Sequence, residues 1–167
     1  STENTNEEKL LRLTLNTLYA ISKAQKPLPI IKAVFELRSV CYAGFLPRLG
    51  GCNGCGKAPL ETYFFDISDG VFFCDDCYHA REKLFLAQSE KVNEAEGIYA
   101  DTHIIMQISP SVFSAVIYAL SSPMERIFSF TLESDALRDF SSLCEKYLLC
   151  HLERDFKTLD FYKSVIN

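Results

Sequence analysis

No run in this 167-residue chain approaches the roughly 18 uninterrupted apolar residues that a membrane-crossing helix needs, which excludes a transmembrane span from the reading. The opening STENTNEEKL has no basic segment leading into an apolar one, so no secretory signal is read there and a cytoplasmic protein is expected. Positive charge is also short. Seventeen Lys and Arg against 22 Asp and Glu leave a formal charge of -5, with no basic stripe of the kind that tracks a phosphate backbone. Strong DNA binding by this chain alone is therefore disfavoured. The signatures of common enzymes are missing as well: no P-loop, no G-x-S-x-G, no dinucleotide fingerprint, no H-E-x-x-H and no paired carboxylates in a catalytic context. No enzyme is expected, and Glu145, Glu153 and Asp155 read as one solvated helix face. Repeats and low-complexity segments are absent too.

What is present is apolar and aromatic: 48% and 13% of residues, enough for one domain with a real core. Seven cysteines are many for a cytosolic protein, where disulfides rarely persist, and they fall into two groups. Cys52-x2-Cys55 is followed after eighteen residues by Cys74-x2-Cys77, a spacing that matches a zinc ribbon. Each pair makes a tight turn that points two sulfurs at one ion, and Gly54 and Gly56 relieve the backbone where positive φ is expected. Four thiolates complete a tetrahedral shell and leave no position open for substrate, so one structural zinc is expected. Thr62 to Ile67 and Val71 to Cys74 are β-branched or aromatic runs joined at Ser68-Asp69-Gly70, a hairpin that returns the second pair to the first. Lys57 is a candidate to stabilise the thiolates from outside the shell, and His79 reads as a surface residue. Cys41, Cys144 and Cys150 sit in helical patterns and read as small buried hydrophobes.

The rest of the chain reads as helices. Glu7 to Ala24 carries Leu11, Leu15, Leu18 and Tyr19 on one side. A second helix, Ile30 to Ala43, has Pro29 at its start and Gly44 at its end. Glu82 to Leu86 suggests a short helix, Ser89 to Glu96 a polar loop, and Ile104 to Ile108 a strand or a helix lead-in. Ser109-Pro110 opens a helix through Leu120, and the last helix runs from about Ser134 to Arg154, with His151 on its apolar seam read as a packed or partly exposed histidine. The expected fold class is mainly α, a helical domain with an inserted four-cysteine zinc β-hairpin. Helices over 1–50, the zinc hairpin over 51–78 and the remaining helices of the same domain over 79–167 are its parts.

Phe35-Glu36-Leu37-Arg38, Gly44-Phe45-Leu46-Pro47, the two cysteine pairs, Ile108-Ser109-Pro110, Tyr147 to Arg154 and Phe156 to Phe161, in that order, resemble the carboxy-terminal region of the bacterial DNA repair protein RecO family. The resemblance covers about residues 28 to 163. In that family an OB-fold domain precedes this region and carries much of the single-strand binding. No such segment is read here, and with Ser1 in place of an initiator methionine the chain is expected to be a piece without the OB domain. The resemblance implies a recombination mediator that works with RecR, anneals strands and exchanges single-strand binding protein for recombinase. It maps the family's zinc ligands onto Cys52, Cys55, Cys74 and Cys77. It also implies binding of the acidic, Phe-ended tail of single-strand binding protein, which needs an apolar pocket beside a cation, and Lys32 and Arg38 are the cations on offer. Two other readings share the metal: a general zinc-ribbon adaptor, and a thiol switch in which oxidation ejects zinc.

Overall fold

The computed structural model describes the backbone of residues 2–89 and 103–166 and the side chains of residues 5–86 and 103–152. Its elements in order are α1 (Thr2–Lys23), α2 (Leu28–Tyr42), β1 (Tyr63–Asp66), β2 (Val71–Phe73), α3 (Asp75–Ser89), β3 (Ile105–Ile108), α4 (Pro110–Ser121) and α5 (Ser134–Ile166), with a 3-10 turn at Met124–Arg126. They form two compact units, one of Ser1–Pro47 with Ser111–Asn167 and one of Arg48–Pro110. The fold is mainly helical with one small antiparallel sheet.

In the first unit α2 is the central element, packed on both α1 and α5. It starts after Pro27 with Pro29 inside its first turn, where a missing N–H is harmless. Ile30, Ile31, Ala33, Val34, Leu37 and Val40 are all buried. Its end is a Schellman arrangement in which the Phe45 N–H reaches Val40 O at 3.1 Å while Gly44 sits at φ 107°. From α5, Phe140, Leu143, Cys144 and Tyr147 meet this core, and the Tyr147 hydroxyl donates to Phe45 O at 3.1 Å. Of the two readings for His151 the packed one holds, its ring buried and stacked on Phe45 with centroids 4.3 Å apart.

Two features depart from the reading of the sequence. Leu11, Leu15, Leu18 and Tyr19 do share one side of α1, but that side is outward, each residue 58–62% exposed, and Leu13 and Thr17 make the buried contacts instead. A helical period shows that a face is apolar without saying what covers it. Arg38, for its part, is a buried residue on the inner side of α2.

In the second unit β1 pairs with β2 in the register Phe64↔Phe73, Phe65↔Phe72, Asp66↔Val71, closed by a turn in which Gly70 has φ 65°. The expected hairpin is there, and Ile105–Ile108 adds a third strand, antiparallel to β1 with Tyr63↔Ile108 and Asp66↔Ile105, giving the order β2-β1-β3. Every residue of β1 and β2 is buried, so neither strand shows the polar alternation of a half-exposed sheet. Phe65 stacks on Phe72 at 4.4 Å, and Phe64 stacks on Tyr78 of α3 at 4.2 Å. α3 begins at Asp75, seven residues before the short helix expected from Glu82. Asp75 and Asp76 in its first turn suit the positive end of the helix dipole, which is the local signal for the earlier start. The polar stretch Ser89 to Glu96 lies outside the described residues after its first position.

Candidate metal centre

Gly51 to Gly56 folds as a knuckle because its backbone groups are paired within the loop and to β2. The Cys52 N–H donates to Lys57 O at 3.0 Å, the Gly56 N–H to Cys52 O at 2.8 Å, and the Asn53 N–H to Phe72 O at 2.7 Å. Cys52 thereby forms a parallel bridge to Phe72, two residues before Cys74. Glycine is required for two different reasons. Gly56 takes φ 75°, as expected, whereas Gly54 is outside the left-handed region, and there a Cβ would stand 2.9 Å from Cys77 Sγ. Lys57 serves this loop through its carbonyl, and its side chain is exposed.

The second pair spans the end of β2 and the first turn of α3, so strand and helix each present one sulfur. The Cys74 N–H points at Cys52 Sγ at 3.3 Å. All four sulfurs lie within 4.8 Å of one another, and Cys55 Sγ is 3.8 Å from Cys74 Sγ. A tetrahedron of ~2.3 Å metal–sulfur bonds has edges of ~3.8 Å, so the cluster fits an ion with four thiolate ligands, and all four cysteines are free of disulfides. Cys52 and Cys74 are buried, Cys77 is half-buried and Cys55 faces solvent.

The electrostatics agree with a cation. Burial raises the Cys52 thiol, but the N–H groups of Cys74, Cys55 and Gly54 outweigh it and hold the thiol down to about 6. The sulfurs of Cys74, Cys52 and Cys55 together push the Cys77 thiol up to about 12. The opposite shifts of these two thiols show how strongly the sulfurs act on one another, and a positive ion among them would favour the thiolate form of each.

A second charged cluster in the same unit went unread in the sequence. Asp66, fully buried in β1, takes Arg81 Nη1 at 2.9 Å and His103 Nδ1 at 2.9 Å on one oxygen, while its other oxygen accepts the Ser68 N–H at 3.1 Å. The guanidinium already supplies the cation there, so these residues form a structural ion network. An aspartate inside the apolar run Tyr63 to Ile67 was the available signal. His79 is on the surface beside Asp75 and Glu82.

The two cations expected together have separate positions in the helical unit. Arg38 Nε donates to Ala119 O at 2.6 Å, its Nη2 to Ser122 O, and its Nη1 to Tyr42 Oη at 3.2 Å, so it caps the carbonyl end of α4. Lys32 is 52% exposed and pairs with Glu36 at 2.8 Å and Glu145 at 2.6 Å. It stands at the edge of an apolar cavity of about 490 Å³ lined by Ile21, Leu28, Pro29, Ile31 and Phe35. Of the acids read as a solvated face, Glu145 is exposed, and the side chains of Glu153 and Asp155 lie outside the described residues.

A mainly helical chain with one small sheet and four cysteines placed where they could hold one ion is the class that fold and site define, and among the described residues no helix is long and apolar enough to cross a membrane. The family described as "Recombination protein O C terminal" matches residues 1–93, and the chain belongs to it. Proteins named "DNA repair protein RecO" are similar over most of the chain. That of Acetivibrio thermocellus is 27% identical over 164 residues, covering 98% of this chain and 57% of the relative. That of Caldicellulosiruptor saccharolyticus is 23% identical over 158 residues, 95% and 55%. The relative from Rubrobacter xylanophilus reaches 38% identity over 71 residues, 40% of this chain and 29% of its own length. The chain thus spans a little over half the length of the first two. No solved structure matches it.

Proposed function

We propose that this chain is the protein-interaction part of a recombinational repair mediator, binding RecR and the tail of single-strand binding protein so that recombinase is loaded and strands are annealed. The role is one of binding and handing over, with no bond made or broken by the chain itself. Single-stranded DNA is held mainly by an OB-fold domain, in keeping with the net charge of -5 on this part.

The observation that carries this reading is the cavity beside Lys32. An acidic tail ending in phenylalanine needs a dry pocket for the ring and a cation for the carboxylate, and Phe35, Ile31, Leu28 and Lys32 supply both on one face. Lys32 makes the contact, while Arg38 holds the end of α4 that backs the core.

One zinc ion bound by Cys52, Cys55, Cys74 and Cys77 is proposed as a structural element. Four sulfur ligands leave no site for substrate, and the ion's contribution is folding free energy for the unit around it.

Calorimetric titration of the purified chain with RecR, with zinc determined on the same sample, tests the reading. Binding at about one zinc per chain supports it. Zinc without binding to RecR or to the tail peptide would leave the metal centre standing and favour a general zinc adaptor instead.

A further inference from the structure

The edge of the cavity is not poised for an acidic ligand as it stands. Lys32 Nζ lies 2.8 Å from Glu36 Oε1 and 2.6 Å from Glu145 Oε2, so one positive charge is shared by two negative ones and the local sum is -1. The two acids differ in kind. Glu36, one turn from Lys32 on α2, is buried and its Oε2 has no hydrogen-bond partner among the described residues. Glu145 projects from α5, one turn beyond the Ser141 of the cavity wall, and is 55% exposed. A ligand carboxylate arriving from solvent therefore meets Glu145, while Glu36 stays on the lysine from beneath.

Resting on the reading that this cavity takes an acidic, apolar-ended tail, we propose that Glu145 is a competitive gate: it occupies the Lys32 ammonium in the free protein and must release it when the tail binds. The tail then substitutes one carboxylate for another on the same cation. The hydrogen bond to Glu145, and then that to Glu36, raise the Lys32 pKa, and Lys32 depresses that of Glu145, so both members of the gate are ionised at neutral pH. Two consequences follow from the exchange. Affinity is held below what the apolar cavity and a free lysine would give, which suits a mediator that has to let go of its partner. Added salt weakens binding only a little, because an ion pair is broken for the one made, whereas a lysine relieved of Glu145 gains an ion pair with the ligand and loses affinity as salt rises.

The test is anisotropy with a labelled peptide of aspartates ending in phenylalanine with a free carboxylate, titrated with the 167-residue chain at low and at physiological salt. Glu145→Gln is expected to tighten binding by about two- to fivefold and to steepen its loss with salt. In a Lys32→Ala background the same substitution is expected to gain little. Equal or weaker binding by Glu145→Gln, when the wild-type chain binds and Lys32→Ala does not, overturns the gate and leaves the tail site standing. An equal gain in both backgrounds also overturns it, since Glu145 would then be repelling the peptide at large. If neither the wild-type chain nor Glu145→Gln binds, the tail reading falls and the gate with it.

Discussion

Gly54 and Cys77 lie so close that a Cβ on the glycine would stand 2.9 Å from the cysteine sulfur and 3.0 Å from its Cβ. The first knuckle can press against the second only because that methyl is missing. Gly54→Ala has to push Cys77 out of the cluster and should cost about 1–3 kcal/mol of metal binding, or roughly five- to 150-fold in zinc affinity. Gly50→Ala, where nothing lies within 4 Å, should leave affinity unchanged in the same competition with a chromophoric chelator. Equal affinities for the two variants would place the ion elsewhere.

Chelation should act on one unit before the other. The knuckle is tied to β2 through Asn53 N–H to Phe72 O, and Cys77 is carried by α3, so loss of the ion releases the ends of β2 and α3 together. Hydrogen exchange after treatment with a chelator should speed up across β1, β2 and the first turn of α3 while α2 and the buried stretch of α5 keep their protection. Protection unchanged in the sheet would mean that the aromatic packing of Phe65 on Phe72 holds it without metal.

Arg38→Met keeps most of the stem and removes the donors that reach Ala119 O and Ser122 O. Two carbonyls at the end of α4 are left without a partner, and the expected loss is about 2–4 kcal/mol in denaturant unfolding. A loss under about 0.5 kcal/mol would show that water replaces the guanidinium.

Asp66→Asn removes the buried charge that Arg81 and His103 share, and about 2–4 kcal/mol of local stability should go with it. The substitution should have a smaller effect in an Arg81→Met background, since the pair is already broken there. Purely additive losses would make the 2.9 Å contact energetically silent.

Stability of the helical unit should fall on the alkaline side. Burial pushes the Cys41 thiol up from 9.0 to about 12, against a partial lowering by the Arg38 charge, and burial raises Cys144 and Tyr147 as well. The native state keeps a proton that the unfolded state gives up, so stability is full below about pH 9 and is lost as pH rises toward 12. Cys41→Ala should flatten that decline by up to about 1.4 kcal/mol per pH unit, the contribution of one proton. Parallel pH profiles for wild type and variant would show that Cys41 titrates normally.

How much was legible differs from element to element. The cysteine pairs, the hairpin turn at Ser68-Asp69-Gly70, α2 with its Gly44 end and the start of α5 at Ser134 rest on spacing and caps within a few residues and are where the sequence puts them, whereas α5 runs on to Ile166, twelve residues past the end expected near Arg154. β3 was ambiguous because Ile105 to Ile108 is short, and only pairing with Asp66 to Tyr63, some forty residues earlier, makes it a strand. The outward Leu11, Leu15 and Leu18 of α1 were legible as a stripe but not as an exposed one. Arg38 and Lys32, both cations on α2, could not be told apart until their neighbours were known.

The sequence by itself determined the four-cysteine cluster, the helical character of the chain and its acidic balance, because ligand spacing, hydrophobic period and net charge are local or additive properties. Only the tertiary structure decided which apolar faces are covered, that Asp66 meets Arg81 and His103, and that Lys32 borders a cavity with Glu145 on it. Those depend on side chains from separate elements meeting within hydrogen-bonding or van der Waals reach, and no local pattern encodes such a meeting.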